Sequence, residues 1–212
     1  MMDQQAFIDD LATRLKGLQS MATHSNQIIS YPRSSPDEAR LMNPPAKESA
    51  VIFPLFLRNG EWHTAFMQRS AGAGVHSGQL SFPGGKLEAG ETHLDAALRE
   101  THEEVGIETH HWKVIGELSA LYIPPSHFVV QPFLAVGPEN PSFNLNAEEA
   151  VALIECSVSH LLQPGIVGRK GIFVAKYNRT FDSGYFDIQG QTLWGATAIM
   201  VQEFRSLFGY EN

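Results

Sequence analysis

The sequence predicts an α/β (α+β) protein in which helices pack against a mixed β-sheet. Apolar runs of strand length recur along the chain, and an Asn-Gly pair at 59–60 separates two of them, which is a strong hairpin signal. Amphipathic stretches of helical period lie near both ends. The 212 residues are 43% hydrophobic and 18% charged, as in ordinary globular proteins. We therefore expect one principal domain with an additional N-terminal segment.

These patterns predict the elements in chain order. Residues 4–18 predict an amphipathic helix, and the polar, proline-containing residues 19–48 predict an extended, poorly regular arm. We place the N-terminal helix and arm in residues 1–47 and the principal domain in residues 48–212. A closing amphipathic helix is expected over 193–208. The predicted strands lie at 49–57, 62–68, 79–82, 112–119, 128–136, 151–157, 171–177 and 181–188.

The stretch from Gly85 to Ile107 is the most informative part of the chain. Glu100, Glu103 and Glu104 fall within one helical turn, where like charges destabilise an isolated helix by about 0.2–0.5 kcal/mol per pair. Such a concentration of carboxylates predicts a bound cation. Ligands that are all oxygen favour a hard ion, Mg²⁺ or Mn²⁺, over zinc. A solvated acidic helix with a salt-bridging arginine is the simpler alternative.

Local signals predict where this helix begins and ends. Thr92 and Asp95 are spaced as a capping pair, and Gly106 is typical of a helix C-terminus. Small and apolar residues at three- and four-residue steps predict a buried stripe beside the acidic face. Before the helix, Pro-Gly-Gly at 83–85 predicts a turn whose bare backbone can approach a metal ion or a phosphate. The whole stretch is therefore expected to form a loop, a helix and a second loop.

The spacing of this stretch resembles the signature of the Nudix hydrolase family. In one-letter code the pattern is G-x5-E-x7-R-E-T-x-E-E-x-G-I, from Gly85 to Ile107. Thr101 departs from it, because the family more often has an aliphatic residue there. The resemblance implies an α/β/α sandwich with a mixed sheet and a loop–helix–loop catalytic motif. It also implies metal-dependent hydrolysis of the diphosphate linkage of a nucleoside diphosphate joined to another group.

The resemblance further implies roles for individual residues. Glu103 and Glu104 are the expected main metal ligands, aided by the carbonyl oxygen of Gly85. Glu100 is expected either to bind metal or to act as the base that orients the attacking water. Arg99 is expected to hold one of the glutamates in position. The resemblance therefore places catalysis in four charged side chains of one helix.

Two further stretches resemble the coenzyme A pyrophosphatase branch of the family. One comprises Arg69-Ser70 with residues 76–85, and the other is residues 193–198. This branch cuts coenzyme A to 3′,5′-ADP and 4′-phosphopantetheine. It usually carries a Leu-Arg pair where this chain has Ala73-Gly74, a change that removes a cation near the phosphates. The expected substrate-binding residues are Arg69, Ser70, Gly84 and Gly85.

Several alternatives stay open from the sequence. ADP-ribose, a dinucleotide or another nucleotide could be the substrate, or the chain could be a non-catalytic Nudix module that binds a nucleotide. The intact glutamates argue against a silent module. Many family members recruit a further acid from outside the signature, and Glu148 or Glu149 is the candidate, with Glu149 named as a metal ligand. Two exposed loop acids are an equally good interpretation of that pair.

Composition narrows the classes of partner and compartment. The formal net charge is −8 and no run of Lys or Arg occurs, which argues against broad nucleic-acid binding. No apolar run reaches about 18 residues, so no membrane span is expected. Cys156 is the single cysteine, which favours a reducing, cytoplasmic location. We expect a small nucleotide substrate, and docking in a homodimer is one role for the N-terminal helix.

Overall fold

The computed structural model describes residues 4–18, 28, 33–70 and 78–210, and it confirms the predicted mixed class. No helix in these ranges is long and apolar enough to cross a membrane. The helices are α1 Gln4–Leu18, α2 Pro36–Arg40, α3 His93–Val105, α4 Val158–Leu161 and α5 Gly195–Ser206. The strands are β1 Lys47–Arg58, β2 Glu61–Arg69, β3 Leu80–Ser81, β4 Gly84–Lys86, β5 Lys113–Glu117, β6 Leu121–Ile123, β7 Phe128–Val136, β8 Ala150–Ser157, β9 Val167–Val174, β10 Arg179–Ile188 and β11 Gln191–Leu193.

Eight of the described strands form one mixed sheet built around β1. Its main path runs β3-β2-β1-β7-β5, while β4, β6 and β8 pair with β1, β7 and β2, respectively. β1 and β7 run parallel, and the other pairs are antiparallel. The predicted turn at Asn59 and Gly60 joins β1 to β2, with both residues at positive φ, as a two-residue hairpin of this kind requires. A second sheet has the order β11-β10-β9.

Strand β1 contributes to a hydrophobic core on each face of the sheet. Phe53 and Leu55 belong to one core, to which α1 and α5 also contribute. Ala50 and Ile52 belong to the other core, which the apolar side of α3 closes. Successive strand side chains point to opposite faces, so a strand covered on both sides must be apolar at almost every position. This explains the unbroken apolar run at 49–57 and gives the expected α/β/α sandwich.

The predicted N-terminal arm is more regular than expected, because residues 36–40 form α2. Ser35 and Glu38 complete a capping box, and proline occupies the first turn, where its missing N–H has no helical partner to lose. The Ser-x-x-Glu pattern is a helix start that outweighs the proline content of the arm. Prolines at 44 and 45 then follow the helix without interrupting it.

Helix α2 is joined to the rest of the fold by charged contacts at Glu48, near the start of β1. Arg40 Nε lies 2.8 Å from Glu48 Oε1, and His93 Nε2 of α3 lies 2.9 Å from Glu48 Oε2. The C-terminal part of the arm therefore packs on the principal domain. Residues 19–27 and 29–32 lie outside the described chain, and the boundary at 47/48 stays a prediction.

A carboxyl group is buried in α5. Glu203 is 5% exposed and lies beside a cavity of about 360 Å³. Its Oε1 accepts hydrogen bonds from the backbone N and the Oγ of Ser119, at 2.9 and 2.7 Å. Burial raises the pKa of the Glu203 carboxyl, although the two donors act in the opposite direction. Its ionised form is therefore less favourable in the folded than in the unfolded protein.

Glu203→Gln is expected to stabilise the fold more at pH 8 than at pH 4. Because the folded-state pKa of Glu203 lies above the unfolded value, the contribution of this group to stability is most favourable at low pH and is lost as the pH rises through both values. Glutamine can accept both bonds from Ser119 without carrying a charge. Melting temperatures of variant and wild type, measured from about pH 4 to about pH 8, should diverge as the pH rises. A difference that does not change with pH would contradict this account.

Candidate active site

Helix α3 begins and ends where the local signals predict. Thr92 Oγ1 accepts from Asp95 N at 3.2 Å, and the Asp95 carboxylate accepts from Thr92 N at 3.1 Å, which completes the capping box. At the other end Gly106 adopts φ 73°, and its N–H donates to His102 O at 2.9 Å. The acidic residues between these ends are therefore held in a defined register against the sheet.

Arg99 is the centre of the charged contacts on α3. Its Nε and Nη2 reach the two oxygens of Glu91 at 2.6 and 3.1 Å, and Nη2 also donates to Lys86 O at 3.2 Å. Its Nη1 lies 3.0 Å from Glu100 Oε1 and 3.2 Å from Glu103 Oε2. Hydrogen bonding to Arg99 lowers the pKa of Glu91 to about 2. One guanidinium thus contacts three carboxylates and the segment that precedes the helix.

Glu104 lies on the buried side of α3, whereas the sequence predicts it on an acidic face beside the buried stripe. It is 3% exposed, Oε2 accepts from Gly84 N at 2.7 Å, and Oε1 lies 3.9 Å from Arg69 Nη1. Burial raises the pKa of this carboxyl to about 8, because the hydrogen bond from Gly84 N–H and the charge of Arg69 offset only part of the desolvation. The carboxylate edge of the helix is therefore partly enclosed by β4 and β2.

Glu100 and Glu103 differ in exposure. The Glu100 side chain is 23% exposed, and burial raises its pKa even though Arg99 acts in the opposite direction. The Glu103 side chain is 53% exposed and faces Arg99. The three glutamates of the signature thus occupy three environments, from buried to half-exposed.

Gly84 and Gly85 lie in strand β4, not in the open turn that the sequence predicts. β4 pairs with β1, with Gly84 opposite Val51. A Cβ on Gly84 would clash with the backbone of Ala50 and Val51, and its φ of 139° also requires glycine. A Cβ on Gly85 would clash with the Glu100 carboxyl group. The first glycine therefore serves strand packing, and the second leaves room for a carboxylate.

Most of the predicted site residues border one cavity of about 780 Å³. Its other walls are mixed: apolar residues of β1, β7 and the segments around β3 and β6 alternate with Lys86 and with the hydroxyl groups of three serines, Ser49, Ser81 and Ser126. Neither Arg99 nor Glu103 belongs to the described lining. Arg99 contacts Glu100, which does line the cavity, and Glu103 contacts Arg99. The predicted residues in the lining are Arg69, Ser70, Gly84, Gly85, Glu100, Glu104, Glu148 and Glu149.

Arg69 connects the acid from outside the signature to the acids within it. Its Nη2 lies 3.5 Å from Glu149 Oε2, and its Nη1 faces Glu104. Ser70 N donates to Glu149 O at 3.0 Å, which fixes this loop against the end of β2. The structure therefore brings Glu149 to the cavity, and its role as a metal ligand stays a prediction.

A β-bulge sets the direction of Arg69. Gln68 pairs with Ala152 of β8, but the next residue, Arg69, pairs with Ala150, so Val151 has no partner on β2. Bulges of this kind bend the strand and re-aim a neighbouring side chain. The charged end of β2 consequently lies at the cavity. Nothing in the sequence marks this bulge, because Val151 has the residue type of a regular strand.

The hydroxyl groups of two serines, Ser70 and Ser81, line the cavity together. Ser70 is an expected site residue, and Ser81 is not. Ser70 Oγ and Ser81 Oγ are buried, and neither has a hydrogen-bond partner among the described residues. A buried hydroxyl without a partner costs about 1–3 kcal/mol, so such groups are rare unless a ligand or water completes them. Ser81 lies in the Ser-Phe-Pro-Gly-Gly stretch at 81–85. The resemblance of this stretch to the coenzyme A pyrophosphatase branch is the sequence feature that could have pointed to Ser81.

A second, smaller cavity of about 130 Å³ adjoins the first through a shared wall that includes Arg69 and Phe82. Residues 194–197 line it, which places the second branch-like stretch beside the candidate site. Thr197 Oγ1 donates to Leu80 O at 3.2 Å and so links α5 to β3. Ala73 and Gly74, the departure from the branch pattern, lie outside the described residues.

The donor atoms suit a hard cation, although they are not gathered around one point. In the described part of the chain no group of three or more His, Cys, Asp or Glu is arranged to hold a metal ion. Glu100 and Glu103 contact Arg99 instead. The carboxylates that line the cavity offer only oxygen ligands, and burial raises the pKa of Glu100 and Glu104, a cost that a nearby cation would offset. The residues therefore fit a hard divalent cation chemically.

Comparison with known proteins identifies the family. Residues 46–177 match the model of the NUDIX domain, which is more than half of the chain. The chain belongs to the Nudix hydrolase family. Its Nudix domain begins one residue before β1 and includes α3, β4 and both loops that border the cavity. Nudix hydrolases generally use divalent metal ions, which agrees with the donor set.

Relatives of this Nudix protein include members named for coenzyme A. The mitochondrial coenzyme A diphosphatase NUDT8 of Mus musculus is 33% identical over 174 residues, which cover 77% of this chain and 79% of that protein. The uncharacterized Nudix hydrolase NudL of Yersinia enterocolitica is 33% identical over 156 residues, covering 73% and 77%. These relatives confirm the resemblance to the coenzyme A pyrophosphatase-like branch.

A solved structure supports the fold alone. The MutT/nudix family protein from Enterococcus faecalis aligns with a TM-score of 0.52 at 12% identity, covering 99% of this chain and 76% of that one. The shared architecture therefore extends beyond the Nudix domain, at an identity too low to carry function.

Gly85→Ala and Gly84→Ala are expected to separate site geometry from folding. In Gly85→Ala the new methyl group displaces the flexible Glu100 carboxyl, so turnover of a diphosphate substrate should fall about 10–100-fold while the free energy of unfolding changes by less than about 1 kcal/mol. In Gly84→Ala the methyl group meets backbone at a positive φ, which should cost about 3 kcal/mol or more. Chemical denaturation and a turnover assay of both variants test this, and equal losses of stability would refute it.

Proposed function

We propose that this Nudix protein hydrolyses the diphosphate linkage of coenzyme A or its derivatives, giving 3′,5′-ADP and 4′-phosphopantetheine. In this reaction a water oxygen bonds to one phosphorus, and the bond from that phosphorus to the bridging oxygen breaks. One observation carries the proposal: Glu100 and Glu104 of the Nudix signature border a single cavity of about 780 Å³ together with Arg69, in a chain related to coenzyme A diphosphatases.

A divalent cation, Mg²⁺ or Mn²⁺, is proposed as the cofactor. Its proposed ligands are the Gly85 carbonyl, Glu100, Glu103, Glu104 and, from outside the signature, Glu149. When bound, such an ion neutralises phosphate charge and lowers the pKa of bound water. The chain has a net charge of −8, so its overall field repels an anionic substrate, and positive charge at the site has to come from local groups.

The chain's own residues would position the substrate and the water. Arg69 borders the cavity and can donate two parallel hydrogen bonds to a phosphate, with Glu149 and Glu104 holding its guanidinium in place. Glu100 reaches the cavity next to Gly85 and is proposed to orient the attacking water. Arg99 is a positioning residue, because it contacts Glu91, Glu100 and Glu103 and not the described cavity.

A hydrolysis panel tests the proposal directly. Purified protein is incubated with Mg²⁺ or Mn²⁺ and with coenzyme A, acetyl-coenzyme A, ADP-ribose, NADH, diadenosine polyphosphates or nucleoside triphosphates, and products are identified by mass spectrometry. We expect preferential release of 3′,5′-ADP from coenzyme A substrates. Preference for ADP-ribose or NADH would refute coenzyme A as the substrate, and no turnover of any diphosphate would refute catalysis itself.

Glu103→Gln is expected to lower turnover by at least about 100-fold while leaving the fold intact. The side chain is half-exposed and its described contact is with Arg99, so the substitution removes a charge without opening the core. Glu139→Gln, an exposed glutamate outside both cavities, is the matched control. Turnover and melting temperature are measured for both. A melting temperature lowered as far as by a core substitution would contradict the separation of roles.

Location and assembly stay predictions. A cytoplasmic location was expected from the sequence, and the related diphosphatases of mouse and human are named mitochondrial. Fractionation of cells with an antibody to this chain distinguishes the two compartments. The homodimer is likewise a prediction, to be checked by the mass of the protein in solution.

A further inference from the structure

The two adjoining cavities differ in charge. The larger one is lined by two cations, Arg69 and Lys86, and by four acids: Glu100, Glu104, Glu148 and Glu149. The described lining of the smaller one contains two arginines, Arg33 and Arg69, and no carboxylate. Arg69 also contacts Glu104 and Glu149, which belong to the larger cavity. In a chain with a net charge of −8, a described lining with two arginines and no carboxylate favours an anionic group.

Arg33 reaches the smaller cavity from the N-terminal arm. Its Nη1 donates to Tyr122 O of β6 at 3.2 Å, which holds the arm residue against the strand that leads to Ile123 and Pro125. Both of those residues border the two cavities. The two adjoining cavities together form a cleft, and the arm supplies part of its wall in addition to the contacts that it makes through α2.

The surroundings of Arg33 strengthen its attraction for an anion. The other walls of the smaller cavity are mostly apolar, among them Val174, Trp194 and Met200. Charges interact more strongly away from water, because the effective dielectric constant is lower. The volume of about 130 Å³ is much smaller than the 780 Å³ of the neighbouring cavity, which favours a compact group such as a phosphate monoester over a long pantetheine arm.

Arg69 lies in the shared wall, between this site and the acids. A substrate whose diphosphate lies at Arg69 and the acids would extend one of the two groups that the diphosphate joins toward the smaller cavity. In coenzyme A the nucleotide half carries a phosphate monoester on the ribose, with a charge of about −1.5 to −2 at neutral pH. ADP-ribose and dephospho-coenzyme A have the diphosphate without that monoester.

We propose that Arg33 binds the 3′-phosphate of the nucleotide half of coenzyme A and so selects this substrate over diphosphates that lack the monoester. The inference rests on the proposed function and adds the residue that would determine specificity. It also gives the arm a role at the cleft. The branch usually has an arginine at the position of Gly74, and Arg33 would supply a cation from a different segment of the sequence.

The test compares kcat and KM of wild type and Arg33→Gln on coenzyme A and on dephospho-coenzyme A. Loss of a charge-assisted hydrogen bond to the monoester should raise KM for coenzyme A about tenfold or more, with a much smaller change in kcat. The rise in KM for dephospho-coenzyme A should be much smaller. Arg33→Lys should recover part of the discrimination, because it keeps the charge and loses the fork. Arg179→Gln, an exposed arginine outside both cavities, is the control.

A binding measurement separates failure of this inference from failure of the proposed function. Titration calorimetry without metal compares adenosine 3′,5′-bisphosphate with adenosine 5′-monophosphate on wild type and Arg33→Gln. Tighter binding of the bisphosphate that Arg33→Gln abolishes supports the inference even if no substrate is turned over. Equal wild-type affinities, or equal losses on coenzyme A and dephospho-coenzyme A, overturn it. If Arg33→Gln does not fold, the wild-type comparison and Arg33→Lys decide.

Discussion

Repulsion between carboxylates is the constraint on which the site depends. Glutamates three and four residues apart on α3 repel one another, and the fold keeps them together by placing Arg99 between three carboxylates. The same guanidinium holds the carbonyl of Lys86, so the strand before the helix and the helix itself are fixed by one side chain. Glu104 is outside this arrangement and relies on Gly84 N–H and on Arg69. The acids of the signature are thus stabilised by two separate sets of positively polarised groups, Arg99 for three of them and Gly84 N–H with Arg69 for Glu104.

The cleft combines segments that are far apart in sequence. β1 lies at the centre of the sheet. Its pairing with β4 and β7 forms the surface that supports α3 and the loop after β6. Both faces of β1 are buried, so the position of the cleft is coupled to two hydrophobic cores. Arg33, from the N-terminal arm, and residues 194–197, from the C-terminal part of the chain, complete its walls. A change in either core would therefore alter the cleft through the backbone.

Signals that are local in sequence predicted local structure well. The Asn59-Gly60 turn, the caps of α3 at Thr92 and Gly106, and the continuous apolar run of β1 all follow from backbone sterics and burial. Short elements such as β4, β6 and β11 were not predicted, because three residues are too few to show a period. The spacing of the signature predicted which acids to look for at the site, and two of them, Glu100 and Glu104, line the larger cavity. Helical period could not show that Glu104 is buried, since that depends on where β4 crosses α3.

The bulge opposite Arg69 has a consequence for how such a site can change over time. With Val151 left without a partner on β2, one residue more or less in β8 alters which side chain faces the cleft, while the acids on α3 keep their places. Under the proposed roles of Arg69 and of the acids on α3, substrate preference and bond cleavage can then vary independently, one through the length of a strand and the other through the chemistry of a helix. A family that shares one catalytic helix can in this way diversify its substrates by insertion and deletion as well as by substitution.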